Sequence, residues 1–144
     1  KIGLHSPSHF PLYFSIALRY TLTIALRYIA GRAWKGGGSV DAHIRKVYVP
    51  MTETAFYILL CLQTPNHGYG VVQRVEEMTG GEIRLAPGTM YGSLSKMERD
   101  GLIRFVREED KRKIYESTQT GREVLQLELK RIERLYRNAK EALS

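Results

Sequence analysis

Between Pro87 and Asp100 a helix-patterned stretch sets Thr89, Gly92, Ser93, Lys96 and Arg99 on one side, while Met90, Leu94 and Met97 form an apolar stripe on the other. The first face is small and polar, with no large side chain before Lys96. Such a face can bring hydroxyls and backbone amides close to base edges and phosphate oxygens. Further on, Lys111-Arg112-Lys113 are three adjacent cations suited to straddling phosphates. Glu108-Glu109-Asp110 precede them, so the hexamer has no net charge and also reads as a solvated turn. Other chemistry has less support. None of the four His (His5, His9, His43, His67) stands at metal-ligand spacing with Cys or another His in the C-terminal region. Gly36-Gly37-Gly38 lacks both the preceding strand and the Lys-Ser/Thr ending of a phosphate loop. Cys61 lies in an apolar run and reads as a core residue. The expectation is a chain that is not an enzyme, with no catalytic residue, metal or cofactor.

The surrounding elements must position those residues. Pro87 suits a first helical turn, and Gly101 stops the helix. Leu102 to Arg107 and Ile114 to Thr118 read as strands on either side of the charged tip, with Ile103 and Phe105 on a packed face. Helix, Gly-Leu-Ile, strand, tip and strand is the shape of a winged helix. Upstream, Thr52 is an N-cap candidate for a helix through Gln63 that is apolar nearly all round, so it is buried on more than one side. Phe56 and Leu59 are its candidates for facing a partner subunit. Thr64 to Gly68 breaks it, Tyr69 to Thr79 carries Val71, Val72, Val75 and Met78 at helical spacing, and Gly80-Gly81 ends that second helix. Thr120-Gly121-Arg122-Glu123 fits a capping box opening a helix about 35 Å long at ~1.5 Å per residue. Along it Leu125, Leu129, Ile132, Tyr136, Ala139 and Leu143 form a seam of coiled-coil spacing. A narrow stripe with no later segment to cover it points to a second copy of the chain; packing back on its own domain is the other reading.

The expected fold is therefore mainly α, an α+β winged helix. It is a three-helix winged helix-turn-helix with a two-stranded β wing and a long C-terminal dimerisation helix. Residues 51–118 form the winged domain and 119–144 the dimerisation helix. Residues 1–50 are expected to stand apart, as an arm without fixed structure or an upstream extension. They hold seven Lys/Arg and the single acid Asp41, a net +6, whereas residues 51–144 hold fifteen against fourteen, a net +1. The overall +7 is thus no argument for DNA binding by the winged domain. Ile16-Ala17-Leu18-Arg19-Tyr20 recurs as Ile24-Ala25-Leu26-Arg27-Tyr28, and the arginines interrupt any span of the ~20 apolar residues a membrane helix needs. An interfacial amphipathic helix over 10–30 remains as an alternative. Gly36-Gly37-Gly38-Ser39 has linker composition. A lone Cys excludes an internal disulfide and fits a reducing, cytoplasmic setting.

The residues from 51 onward resemble the PadR family of bacterial transcriptional regulators. The likeness runs through Phe56 to Leu62, His67-Gly68-Tyr69-Gly70, Pro87 to Leu94, Met97 to Ile103 and Tyr115 to Leu125. The resemblance implies a homodimeric winged-helix repressor whose first and C-terminal helices build the dimer and whose third helix enters the major groove. It implies a DNA-facing set of Thr89, Tyr91, Ser93 and Lys96 with Lys111, Arg112 and Lys113 in the wing. Helical spacing instead puts Tyr91 beside the core. Some relatives hold flat aromatic effectors between Trp residues, but Trp34 is the only Trp here, so that pocket does not carry over and an effector stays unidentified. Double-stranded DNA and a second copy are the expected partners. The rival readings are a winged helix that docks a protein without DNA, and a regulator held at a membrane through residues 10–30.

Overall fold

The computed structural model describes residues 40–144. Its helices are α1 (Ala42–Tyr48), α2 (Glu53–Cys61), α3 (Gly68–Thr79), α4 (Pro87–Arg99) and α5 (Gln119–Ala142), and its strands are β1 (Asn66–His67), β2 (Ile103–Glu109) and β3 (Arg112–Ser117). The strands make one antiparallel sheet in the order β1-β3-β2. A winged helix was expected and is found, with one addition: the wing has a third strand. Asn66 and His67, expected to be only a helix break, pair with Tyr115 and Ile114 and so stitch the root of the wing to the start of α3.

The core explains the choice of elements. Ile58, Leu59, Cys61 and Leu62 from α2 and its end, Val71 and Val75 from α3, and Met90, Leu94 and Met97 from α4 are all buried. Leu102, Ile103, Val124 and Leu125 complete the same cluster. The caps follow local chemistry: Thr52 Oγ1 accepts from the Ala55 amide at 3.2 Å, Pro87 occupies the first turn of α4, and Gly80 closes α3 at φ 61°.

At α5 the helix starts earlier than expected. Thr118, not Thr120, is the N-cap, its Oγ1 accepting from the Gly121 amide at 3.1 Å and donating to the Gly101 carbonyl at 2.6 Å. The reason is a close approach: a Cβ on Gly121 would overlap the Leu102 carbonyl oxygen, so Gly121 must lie inside the packed first turn. In β2 only Ile103 is buried, and Phe105, expected on the packed face, is 45% exposed. The hairpin leaves the helices after Ile103, and a bulge between Phe105 and Arg107 shifts its register. Phe105 has Tyr115 as its neighbour, edge-on at 6.3 Å.

The ordered fold also begins before Met51. Asp41 caps α1 by accepting from the His43 amide at 2.8 Å. Tyr48 is 5% exposed, and Ile44, Val49 and Met51 pack against the core. Position 50 is therefore no structural boundary, because an apolar face on α1 reaches the core that the later helices build. The Ile-Ala-Leu-Arg-Tyr repeats and the Gly-Gly-Gly-Ser stretch lie outside the described residues. Among the described residues no helix is long and apolar enough to cross a membrane.

Candidate nucleic-acid interface

The outer face of α4 is open. Thr89 and Lys96 are exposed and Ser93 is half-buried, while a Cβ on Gly88 or Gly92 would meet nothing within 4 Å. Ala86 supplies no side-chain cap, so the first-turn amides of α4 have no side-chain acceptor. Tyr91 is 59% exposed, off the core, yet its ring lies over α3: a Cβ on Gly68 would come within 3.1 Å of Tyr91 Cε1. The ring thus packs on backbone while more than half of the residue stays exposed. A side chain at position 68 would make the Tyr91 ring give way by a few tenths of an ångström.

Lys96 is not free. Its Nζ donates to Asp100 Oδ2 at 2.6 Å and lies 4.8 Å from the centroid of the Tyr48 ring. Tyr48 donates its hydroxyl to the same carboxylate oxygen at 2.6 Å. Burial, then the bond to Asp100, pushes the Tyr48 phenol up to about 12. The Lys96 ammonium, then the phenol, holds the Asp100 carboxyl below its ordinary value. The C-terminal end of α4 is thereby clasped to α1, a contact between residues 52 positions apart that the local sequence pattern does not reveal.

In the wing, Asp110 and Lys111 have φ of 50° and 61°, a two-residue turn with both residues left-handed. Side chains alternate across a strand, so Arg112 and Lys113 leave opposite faces of the hairpin and do not act as one contiguous patch. Arg107 pairs with Glu109 at 3.0 Å and Arg104 pairs with Glu116. Among the described residues Lys111, Arg112 and Lys113 have no salt bridge. Arg112 points back toward α3, with Nη1 at 3.5 Å from His67 Nε2 and its guanidinium 6.0 Å from the Tyr69 ring centroid. His67 falls in the stretch expected only to break the chain between two helices, and its meeting with Arg112 depends on β1 joining the sheet.

The residues expected at a subunit interface divide in two. Leu59 is fully buried and Leu125 is 5% exposed inside the chain's own core, so neither is open to a partner. Phe56 and Leu129 are half-buried against that core. Ile132, Tyr136, Ala139 and Leu143 are exposed, with Leu135 beside them at 49%. The seam passes from core to surface because α5 outruns its own domain after Glu128.

Residues 58–127 match the family model described as the transcriptional regulator PadR-like family. The chain carries a PadR-like domain. The match spans the end of α2, the sheet, α3, α4 and the start of α5, and leaves α1, the first half of α2 and the exposed end of α5 outside the PadR-like domain. The fold is similar to that of a PadR family transcription regulator from Clostridium difficile, 24% identical with a TM-score of 0.56, over 65% of this chain and 100% of that one. A transcriptional regulator from Clostridium thermocellum is 18% identical with a TM-score of 0.55, over 74% of this chain and 100% of the other. In sequence the chain is 34% identical over 86 residues to an uncharacterized 37.1 kDa protein in transposon TN4556 of Streptomyces fradiae. That alignment covers 58% of this chain and only 24% of the relative's length.

Proposed function

We propose that the chain is a DNA-binding transcriptional regulator that acts as a homodimeric repressor on a pseudo-palindromic operator. The observation that carries this reading is the open, small and polar face of α4 beside a wing whose three cations have no acid partner among the described residues. The first two turns of α4, with Thr89, Tyr91 and Ser93, enter the major groove, and the wing cations lie on flanking phosphates. Lys96 joins them on giving up Asp100. Ile132, Leu135, Tyr136 and Leu143, exposed on the part of α5 that nothing covers among the described residues, support a second copy as the partner. In the dimer the reading helices occupy successive major grooves, about 34 Å apart. Repression follows from blocking polymerase, and an effector relieves it by changing that spacing. A gel shift of the full chain against the DNA upstream of its own gene tests the reading. A band that survives non-specific competitor supports it.

The near-neutral charge of residues 51–144 favours a second reading, a winged helix that docks a protein. In that case the gel shift shows no complex at any salt concentration, although the chain is folded.

A further inference from the structure

His67 ends β1 and caps α3, and this restricts its ring to one neutral tautomer. Nδ1 accepts the Gly70 amide at 2.9 Å, so the proton sits on Nε2. Nε2 faces Arg112 Nη1 at 3.5 Å. A guanidinium nitrogen does not accept, so two N–H donors point at one another and neither can satisfy the other. Tyr69, 56% exposed, completes the group: its ring stacks on His67 at 6.5 Å with 4° between the planes. Among the described residues no acid neutralises the pair, since Glu109, the ladder partner of Arg112, is engaged by Arg107 at 3.0 Å.

We propose that His67 Nε2–H and the Arg112 guanidinium, with the Tyr69 ring as a wall beside them, form a notch for one phosphate oxygen of the DNA backbone. The inference rests on the DNA-binding reading above and extends it to residues of α3 and β1. An anionic oxygen is an acceptor that both donors can share, turning an unfavourable contact into two charge-assisted or polar hydrogen bonds. The notch also joins the two halves of the interface. Gly68 follows His67 directly and carries the Tyr91 ring of α4, while Arg112 belongs to the wing. A phosphate held there fixes the register of α4 in the groove without reading sequence.

The test uses the full chain and fluorescence anisotropy with two duplexes, the upstream DNA and a scrambled version, across a range of salt. His67→Asn keeps a good N-cap and removes the Nε2 donor. It is expected to weaken both duplexes alike, by about tenfold, with an unchanged salt slope because a neutral donor releases no counterion. Arg112→Gln weakens both and lowers the slope by about one. The double variant loses less than the product of the two, because they share one oxygen. A His67→Asn protein that melts and binds like the unaltered chain overturns the notch, as do losses that simply multiply. If the unaltered chain binds neither duplex, the DNA reading fails, and the notch is tested alone with inorganic phosphate against chloride by 15N NMR of the imidazole. A His67 Nε2 shift abolished by Arg112→Gln supports an anion notch; no shift removes it.

Discussion

At the scale of single residues, two carboxylates hold charge where the fold demands it. Asp100 sits below its usual range because Lys96 and then Tyr48 donate to it, and Glu128 does so because Arg131 donates at 2.6 and 2.9 Å. The native state therefore binds fewer protons than the unfolded chain in acid. This stabilisation is complete above the unfolded carboxylate range near ~4 and is lost as pH falls through the lower native values. Urea midpoints should hold from neutral pH down to the unfolded carboxylate range and drop only as pH falls below ~4, and Asp100→Asn or Glu128→Gln should flatten that drop. In DNA titrations Asp100→Asn should also release Lys96, tightening binding at low salt and steepening the salt slope by about one. Cys61 gives a simpler expectation. It is 1% exposed, and burial pushes its thiol up to about 11. Alkylation near neutral pH should follow the global unfolding rate and be negligible in the folded protein.

At the scale of elements, two glycines have opposite reasons. Gly121 allows α5 to touch the Leu102 backbone, so Gly121→Ala should lower the melting temperature sharply, although alanine is the better helix former. Gly92 meets nothing on the open face of α4. Gly92→Ala should therefore stabilise the fold by up to ~1 kcal/mol, measured by urea unfolding, and still weaken DNA binding because the new methyl stands where a groove wall must approach. A variant more stable and equally tight in binding would place the DNA elsewhere. Much of this was legible in the sequence. The period of Met90, Leu94 and Met97, Pro87 in the first turn and the Gly101 stop together announced α4 and its free face. The strand face of Phe105 was misjudged because alternation tells which side a residue takes, not whether anything lies beneath it.

At the scale of the whole molecule, α5 is the element that reaches outward. From Lys130 to Ala142 it extends about 20 Å at ~1.5 Å per residue, with Ile132, Leu135 and Tyr136 exposed along it. Ile132→Asp with Tyr136→Asp should leave the winged domain folded, convert a dimer to a monomer in light scattering, and reduce operator affinity by orders of magnitude as the second half-site is lost. The other end of the chain behaves differently. Deleting residues through Pro50 removes Tyr48 from the core and breaks its bond to Asp100. Stability should fall by roughly 2–3 kcal/mol, which chemical denaturation would read directly.

What the sequence by itself determined is what repeats within a turn or two of chain: helix faces, caps, stops, a charged hairpin tip and a kinship with PadR-like regulators. Local sterics and hydrophobic period dictate these, so a dozen residues suffice to read them. What only the tertiary structure decided is which of those surfaces meet. Tyr48 finds Asp100 and Lys96, His67 and Tyr69 find Arg112, and Leu59 and Leu125 disappear into the core instead of facing a partner. Each depends on contacts between distant segments, set by how α1, the three-stranded sheet and α5 close over α2. No local period encodes such closure, because its energy comes from burial shared by the whole core.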